Sequence, residues 1–145
     1  MFEKLFLLVK SNAGKAVIEN PVIPAKYRES VINEASSSII EVLKGQIESG
    51  KLKDLVMFFQ FPDTYKNPLI SNVVNKFAGK MTRFYDIELS SALAAANLLI
   101  PPVMYELIKQ SKVEEDREFA LVPFLSKING NKADLSLLVH QMMAA

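Results

Sequence analysis

The chain has 145 residues, with 17 Lys and Arg against 16 Asp and Glu, a formal charge of +1 and 50% hydrophobic residues. A domain of that size buries about two-thirds of its unfolded surface without covalent staples, so a single all-helical domain over residues 1–145 is the expectation. Acids interleave with bases along the chain, which excludes the phosphate-neutralising stripe of a nucleic-acid binder, and the lack of Cys excludes disulfides and thiolate metal sites.

The opening segment MFEKLFLLVK carries an acid at Glu3 and an apolar run of only Leu5 to Val9 before Lys10. That run is too short for the apolar region of a secretory signal, so it reads as a helix of the mature protein. Phe2, Leu5, Phe6, Val9, Ala13, Ala16 and Val17 step by three and four, and predict one amphipathic helix ending near Asn20 and Pro21. NPVIP then makes a rigid connector. From Pro24 or Ala25, the residues Arg28, Ile32, Ala35, Ile39, Leu43 and Ile47 repeat on one face, with Glu34, Glu41, Lys44 and Glu48 opposite. This predicts a long second helix, stopped at Ser49 and Gly50.

Leu52, Leu55, Val56, Phe58 and Phe59 predict a short third helix, and the two prolines of FPDTYKNP flank polar turn formers in the clearest loop of the chain. The most regular stretch follows, NPLISNVVNKFAGKM over residues 67–81. Ile70, Val73, Val74, Phe77, Ala78 and Met81 share one helical face, with Ser71, Asn75 and Lys76 beside it, the pattern of an inward face that fills a core. Asp86 is the expected N-cap of a fifth helix carrying Leu89, Ala92, Leu93 and Ala96. Pro101 and Pro102 are expected to separate it from a sixth that carries Val103, Met104, Leu107 and Ile108, because neither can donate to the preceding turn.

Leu89 to Tyr105 holds no charged residue. Ser90, Ser91, Asn97 and the prolines leave it short of the roughly 20 apolar residues that a membrane span needs, so two buried helices are expected and no span. KVEEDRE, from Lys112 to Glu118, reads as an exposed corner, and Phe119 to Ile128 as short helix or turn interrupted by Pro123. NGNKAD is a turn with Asp134 as cap, before a last helix carrying Leu135, Leu138, Val139, Met142 and Met143. No segment alternates with a period of two, so the fold class is all-α, a compact bundle of about six or seven helices.

Motifs that carry chemistry are sparse. Gly45, Gly50 and Lys51 match the first part of a phosphate-binding loop, but Leu52 stands where a magnesium ligand is required and the preceding residues are helical, so Gly50 reads as a helix terminus. His140 is the single histidine and has no second ligand at metal spacing. Glu114, Glu115, Asp116 and Glu118 lack the calcium-loop spacing and are interrupted by Arg117, as a solvated corner would be. No catalytic residue, metal ligand or cofactor site emerges, and the chain is expected not to be an enzyme.

The order of NAGKAVIENPVIP, VINEASSSIIEVLKGQI, NPLISNVVNKFAGKM and SSALAAANLLIPPVMYELI, with Phe119 and an apolar helix after them, resembles the YidB-like family of small bacterial proteins of unknown function. The likeness covers most of residues 8–128. It implies an all-helical bundle and carries no assigned catalytic residue. This chain has FQFPDTYKN and LLVHQMMAA where glycine-rich tracts are expected from that family.

Two functions fit. The first is a non-enzymatic interaction or scaffold module with a protein partner or a second copy, docking through Phe2, Leu5 and Phe6 at one end and Leu138, Met142 and Met143 at the other, since Met suits adaptable surfaces. The second is a carrier of an apolar small molecule or lipid in a cavity near Phe77, Leu99, Val103 and Met104. With no targeting signal found, the cytoplasm is the expected location.

Overall fold

The computed structural model describes residues 3–62, 68–112 and 121–128, and every regular element among them is helical. Six α-helices are present among the described residues: α1 (Glu3–Ser11), α2 (Arg28–Glu48), α3 (Leu52–Gln60), α4 (Leu69–Tyr85), α5 (Leu89–Ser111) and α6 (Leu121–Ile128). The sequence expectations for the middle of the 61–68 loop, most of the acidic corner, the Asp134 cap and the last helix lie outside the described residues.

The first helix is shorter than its periodicity predicts. Ser11 Oγ and Asn12 Nδ2 each donate to the Leu8 carbonyl at 2.9 Å, so side chains compete with the backbone for the acceptors of the last turn. The N–H groups of Asn12 and Ala13 then reach back only three residues, to Val9 and Lys10. A wide turn over Gly14–Ile18 follows, in which Ile18 donates to Ala13 and Glu19 to Gly14, five residues back. Its apolar residues Ala16 and Val17 are buried all the same, so the stripe stays inward although the helix does not continue.

A tight turn at Ala25–Tyr27 leads into α2, as the connector from Pro21 to Pro24 predicts. Val31, Ile32, Ala35, Ile39 and Leu43 are buried, while Arg28 and Ile47, at the ends of the stripe, are half-buried. Two serines are also buried within α2. Their hydroxyls donate to carbonyls four residues back, Ser36 to Ile32 at 3.4 Å and Ser38 to Glu34 at 2.7 Å, so neither carries an unmet polar group inward. At its end Gly50 takes a φ of +79°, its N–H bonds Ile47 O, and Lys51 N–H bonds Gln46 O at 2.8 Å. This pair of bonds closes the helix through a left-handed residue, which assigns Gly50–Lys51 to a helix C-terminus rather than to a phosphate loop.

Contacts divide the chain into two compact units, Met1–Ile39 with Leu69–Met104 and Ile40–Pro68 with Tyr105–Ala145. Helices α2 and α5 contribute residues to both. Within the first unit the α4 stripe fills the core: Val73, Val74, Phe77, Ala78 and Met81 are buried and Ile70 is half-buried. Leu5, Val9, Ile32, Ile39, Leu99 and Ile100 belong to the same unit and are also buried. In the second unit Leu43, Leu55, Val56, Phe58, Phe59, Leu107, Phe124 and Leu125 are buried, and the Phe58 and Phe59 rings meet edge to face at 6.4 Å. Lys112 Nζ donates to the Gln60 carbonyl at 3.2 Å, tying the ends of α5 and α3 within that unit.

Two sequence expectations around α5 are corrected. Asp86 adopts a positive φ of 53°, which Asp tolerates better than most residues, and Ile87 N–H returns to Met81 O at 3.3 Å. Asp86 therefore closes α4, and Glu88 stands at the start of α5, where its carbonyl accepts from Ala92. Pro101 and Pro102 do not separate two helices; both lie inside the single helix Leu89–Ser111. They leave the carbonyls of Asn97 and Leu98 without an intrahelical donor, and both of those residues are exposed, where water can supply one. An interior proline costs about 3 kcal/mol, whereas Leu99, Ile100, Val103 and Met104 are fully buried and contribute about 1.5–3 kcal/mol each. Continuity wins because it keeps all four on the inward side.

Replacing the fully buried Phe77 with Ala is expected to lower the unfolding free energy by about 3–5 kcal/mol in a urea titration, and a loss below about 1 kcal/mol would refute its place in the core. Gly50→Ala is expected to cost about 1 kcal/mol from backbone strain alone, since a Cβ there meets nothing within 4 Å; an unchanged midpoint would show that the turn relaxes.

Candidate functional site

On α5 the residues Ser90, Ala94, Leu98 and Pro102 follow one another at four-residue steps, and all are exposed. Each step advances about 40° beyond a full turn, so they form one gently winding stripe on the outward side of the helix. Leu98 is 57% exposed and Leu89, at the start of the helix, 53%. From Leu89 to Met104 there is no Asp, Glu, Lys or Arg. A helix face turned to water ordinarily carries charges opposite its buried stripe, and here the outward side has none in this span. By length and composition α5 would suffice to cross a membrane, yet half of its most apolar stretch is buried inside the protein, the behaviour of a core helix with one apolar side left uncovered.

Of the residues expected to make an interaction face, Leu5 and Phe6 are among those described. Leu5 is fully buried and Phe6 half-buried; the exposed apolar residue of α1 is Leu7, 59% accessible, two positions from Leu5 and on the other side of the helix. Leu5 is thereby corrected from surface to core, and with Val9 it forms the i, i+4 pair that α1 presents inward. Phe2, Leu138, Met142 and Met143 lie outside the described residues, as does His140. Phe77, Leu99, Val103 and Met104 are brought together in one unit, all with zero exposure.

A second cluster joins the start of α2 to the end of α4. The rings of Tyr27 and Tyr85 meet edge to face, 5.4 Å between centroids. Lys26 Nζ lies 5.0 Å over the Tyr27 ring and Arg83 Cζ lies 5.5 Å over the Phe84 ring. Phe84 is 64% exposed. Partial burial pushes the Tyr85 phenol above its ordinary range, the Glu34 carboxylate adds to this, a hydrogen bond with Ser30 opposes it, and Tyr27 raises it slightly further. Arg28 Nε and Thr82 Oγ1 are buried without a hydrogen-bond partner among the described residues. A buried polar atom left in that condition costs about 1–3 kcal/mol unless water or a ligand reaches it.

Among the described residues no group of three or more His, Cys, Asp or Glu is placed to hold a metal ion. Compared with known proteins, the chain matches no protein-family model, no curated protein and no solved structure.

The raised phenol of Tyr85 gives a pH dependence of definite sign. The unfolded chain releases this proton first, so the contribution is intact below pH 10.0, the ordinary value, and is lost as pH rises toward the folded value. Tyr85→Phe is expected to flatten the alkaline fall in stability measured by urea unfolding; identical alkaline slopes in the two proteins would refute the assignment.

Proposed function

We propose that this protein is a non-enzymatic interaction module that self-associates through the outward face of α5. The observation that supports this reading is the uncharged exterior of that helix from Leu89 to Met104, where Leu89, Ala94, Leu98 and Pro102 are open to solvent. Burying such a face against another apolar surface gains roughly 25 cal/mol for each Å² removed from water, and no charge has to be desolvated to do so. Specificity comes from shape: Ala94 and Ser90 let a neighbouring helix approach closely, and Leu98 fills the space between. The resemblance to YidB-like proteins agrees with a helical module that has no assigned catalytic residues.

Native mass spectrometry of the purified chain tests this directly. A dimer or a co-purifying protein is expected, and Leu98→Lys is expected to weaken the association at least about tenfold while leaving the unfolding free energy within about 0.5 kcal/mol. A monomer carrying a small extra mass would favour instead a carrier that encloses an apolar molecule beside Phe77, Leu99, Val103 and Met104. A bare monomer at high concentration would overturn self-association.

A further inference from the structure

The outward stripe of α5 is laid out evenly about one residue. Within the single helix Leu89–Ser111, Ser91 and Ala94 precede Leu98 by the same steps, seven and four, by which Tyr105 and Pro102 follow it, and helical geometry holds all five within about 40° of one line. Ser91 is half-buried and the other four are exposed, Leu98 by 57% and Tyr105 by 52%. Size runs in one direction along this stripe: Ser and Ala lie before Leu98, and the rings of Pro and Tyr after it. Charge runs the same way. Exposed Glu88 stands at the start of the helix, where Ser90 Oγ donates to its carboxylate at 3.1 Å, and exposed Lys109 lies eleven positions beyond Leu98, about 20° from the same line. Glu106, half-buried, accepts from Gln110 Nε2 at 3.0 Å on its own helix.

A face graded in this way discriminates between two ways of meeting its own copy. Side by side in parallel, each residue meets its equivalent, so the Tyr105 and Pro102 rings collide at one end while Ser91 and Ala94 leave a gap at the other. Glu88 then faces Glu88 and Lys109 faces Lys109. Antiparallel, with Leu98 on the two-fold axis, Tyr105 comes level with Ser91 and Pro102 with Ala94, so the large residues of each copy fill the space beside the small ones of the other. Lys109 then lies only about 1.5 Å along the axis from Glu88 of the second copy.

We propose that the partner of the α5 face is a second copy of this chain bound antiparallel, with Leu98 on the axis and Glu88 of each copy paired with Lys109 of the other. This rests on the self-association argued above and fixes its orientation and register. An interface of this symmetry uses the same patch on both copies and closes at two, so it builds no filament. One helix face from each copy is small beside the roughly 1,200–2,000 Å² of a stable complex, so the pair dissociates on dilution and its end charges weigh in the choice of orientation.

Sedimentation velocity of the full chain over a concentration series tests the charge pairing. Glu88→Lys and Lys109→Glu are each expected to weaken dimerisation at least about threefold, and the double variant to recover the affinity of the unaltered chain within about twofold. Both positions are exposed, and helical content by circular dichroism checks that each variant folds. A parallel pair has like charges at both ends before and after either reversal, so it predicts no weakening and no recovery. Because the chain has no Cys, orientation is also read by disulfide trapping: a mixture of Ser91→Cys and Tyr105→Cys chains is expected to cross-link under oxidation more than either variant alone. A dimer in which each variant cross-links chiefly with itself, or in which the double charge variant is as weak as the singles, would overturn the antiparallel arrangement and leave self-association standing. Absence of any dimer in the unaltered chain would overturn both.

Discussion

The helix α5 has to bury one side, and much else in this protein follows from that requirement. Ala92, Ala95, Ala96, Leu99, Ile100, Val103 and Met104 turn inward along it, and small residues on that side allow close approach of neighbouring backbone. Two prolines in mid-helix would ordinarily end it. They are accommodated because the carbonyls they deprive belong to the wet side, at Asn97 and Leu98, while the apolar gain lies on the dry side. The helix thus separates its backbone defect from its packing surface.

Periodicity made the faces of this fold legible before any coordinates. The α4 stripe from Ile70 to Met81, the α2 stripe and the short apolar α3 all turn inward as their three-and-four spacing requires. Boundaries were less legible. The break after Ser11 comes from Ser11 and Asn12 competing for a single carbonyl, a side-chain effect that hydrophobic spacing does not register. The continuity of α5 through Pro101 and Pro102 went the other way: a local rule about backbone donors was overridden by burial that only the tertiary structure reveals.

The surface features were harder to read from the sequence than the core. Leu5 and Leu7 are both leucines of one amphipathic segment, and a broad apolar stripe does not say which edge of it is covered. The absence of charge from Leu89 to Tyr105 is plain in the sequence, but it does not distinguish two buried helices from one continuous helix of which only half of the most apolar stretch is buried. The contact of Tyr27 with Tyr85 was invisible for a simpler reason, since partners so distant in sequence leave no signal in the spacing of either segment.

Each compact unit is assembled from two stretches of chain, the first from Met1–Ile39 and Leu69–Met104, the second from Ile40–Pro68 and Tyr105–Ala145. During synthesis, α3 therefore leaves the ribosome with Leu55, Val56, Phe58 and Phe59 still waiting for the partners that Tyr105 and later residues supply. A nascent chain translated at about 5–20 residues per second spends some seconds with that apolar helix short of its later partners. The interleaving that unites the finished fold sets its period of greatest vulnerability at the ribosome exit.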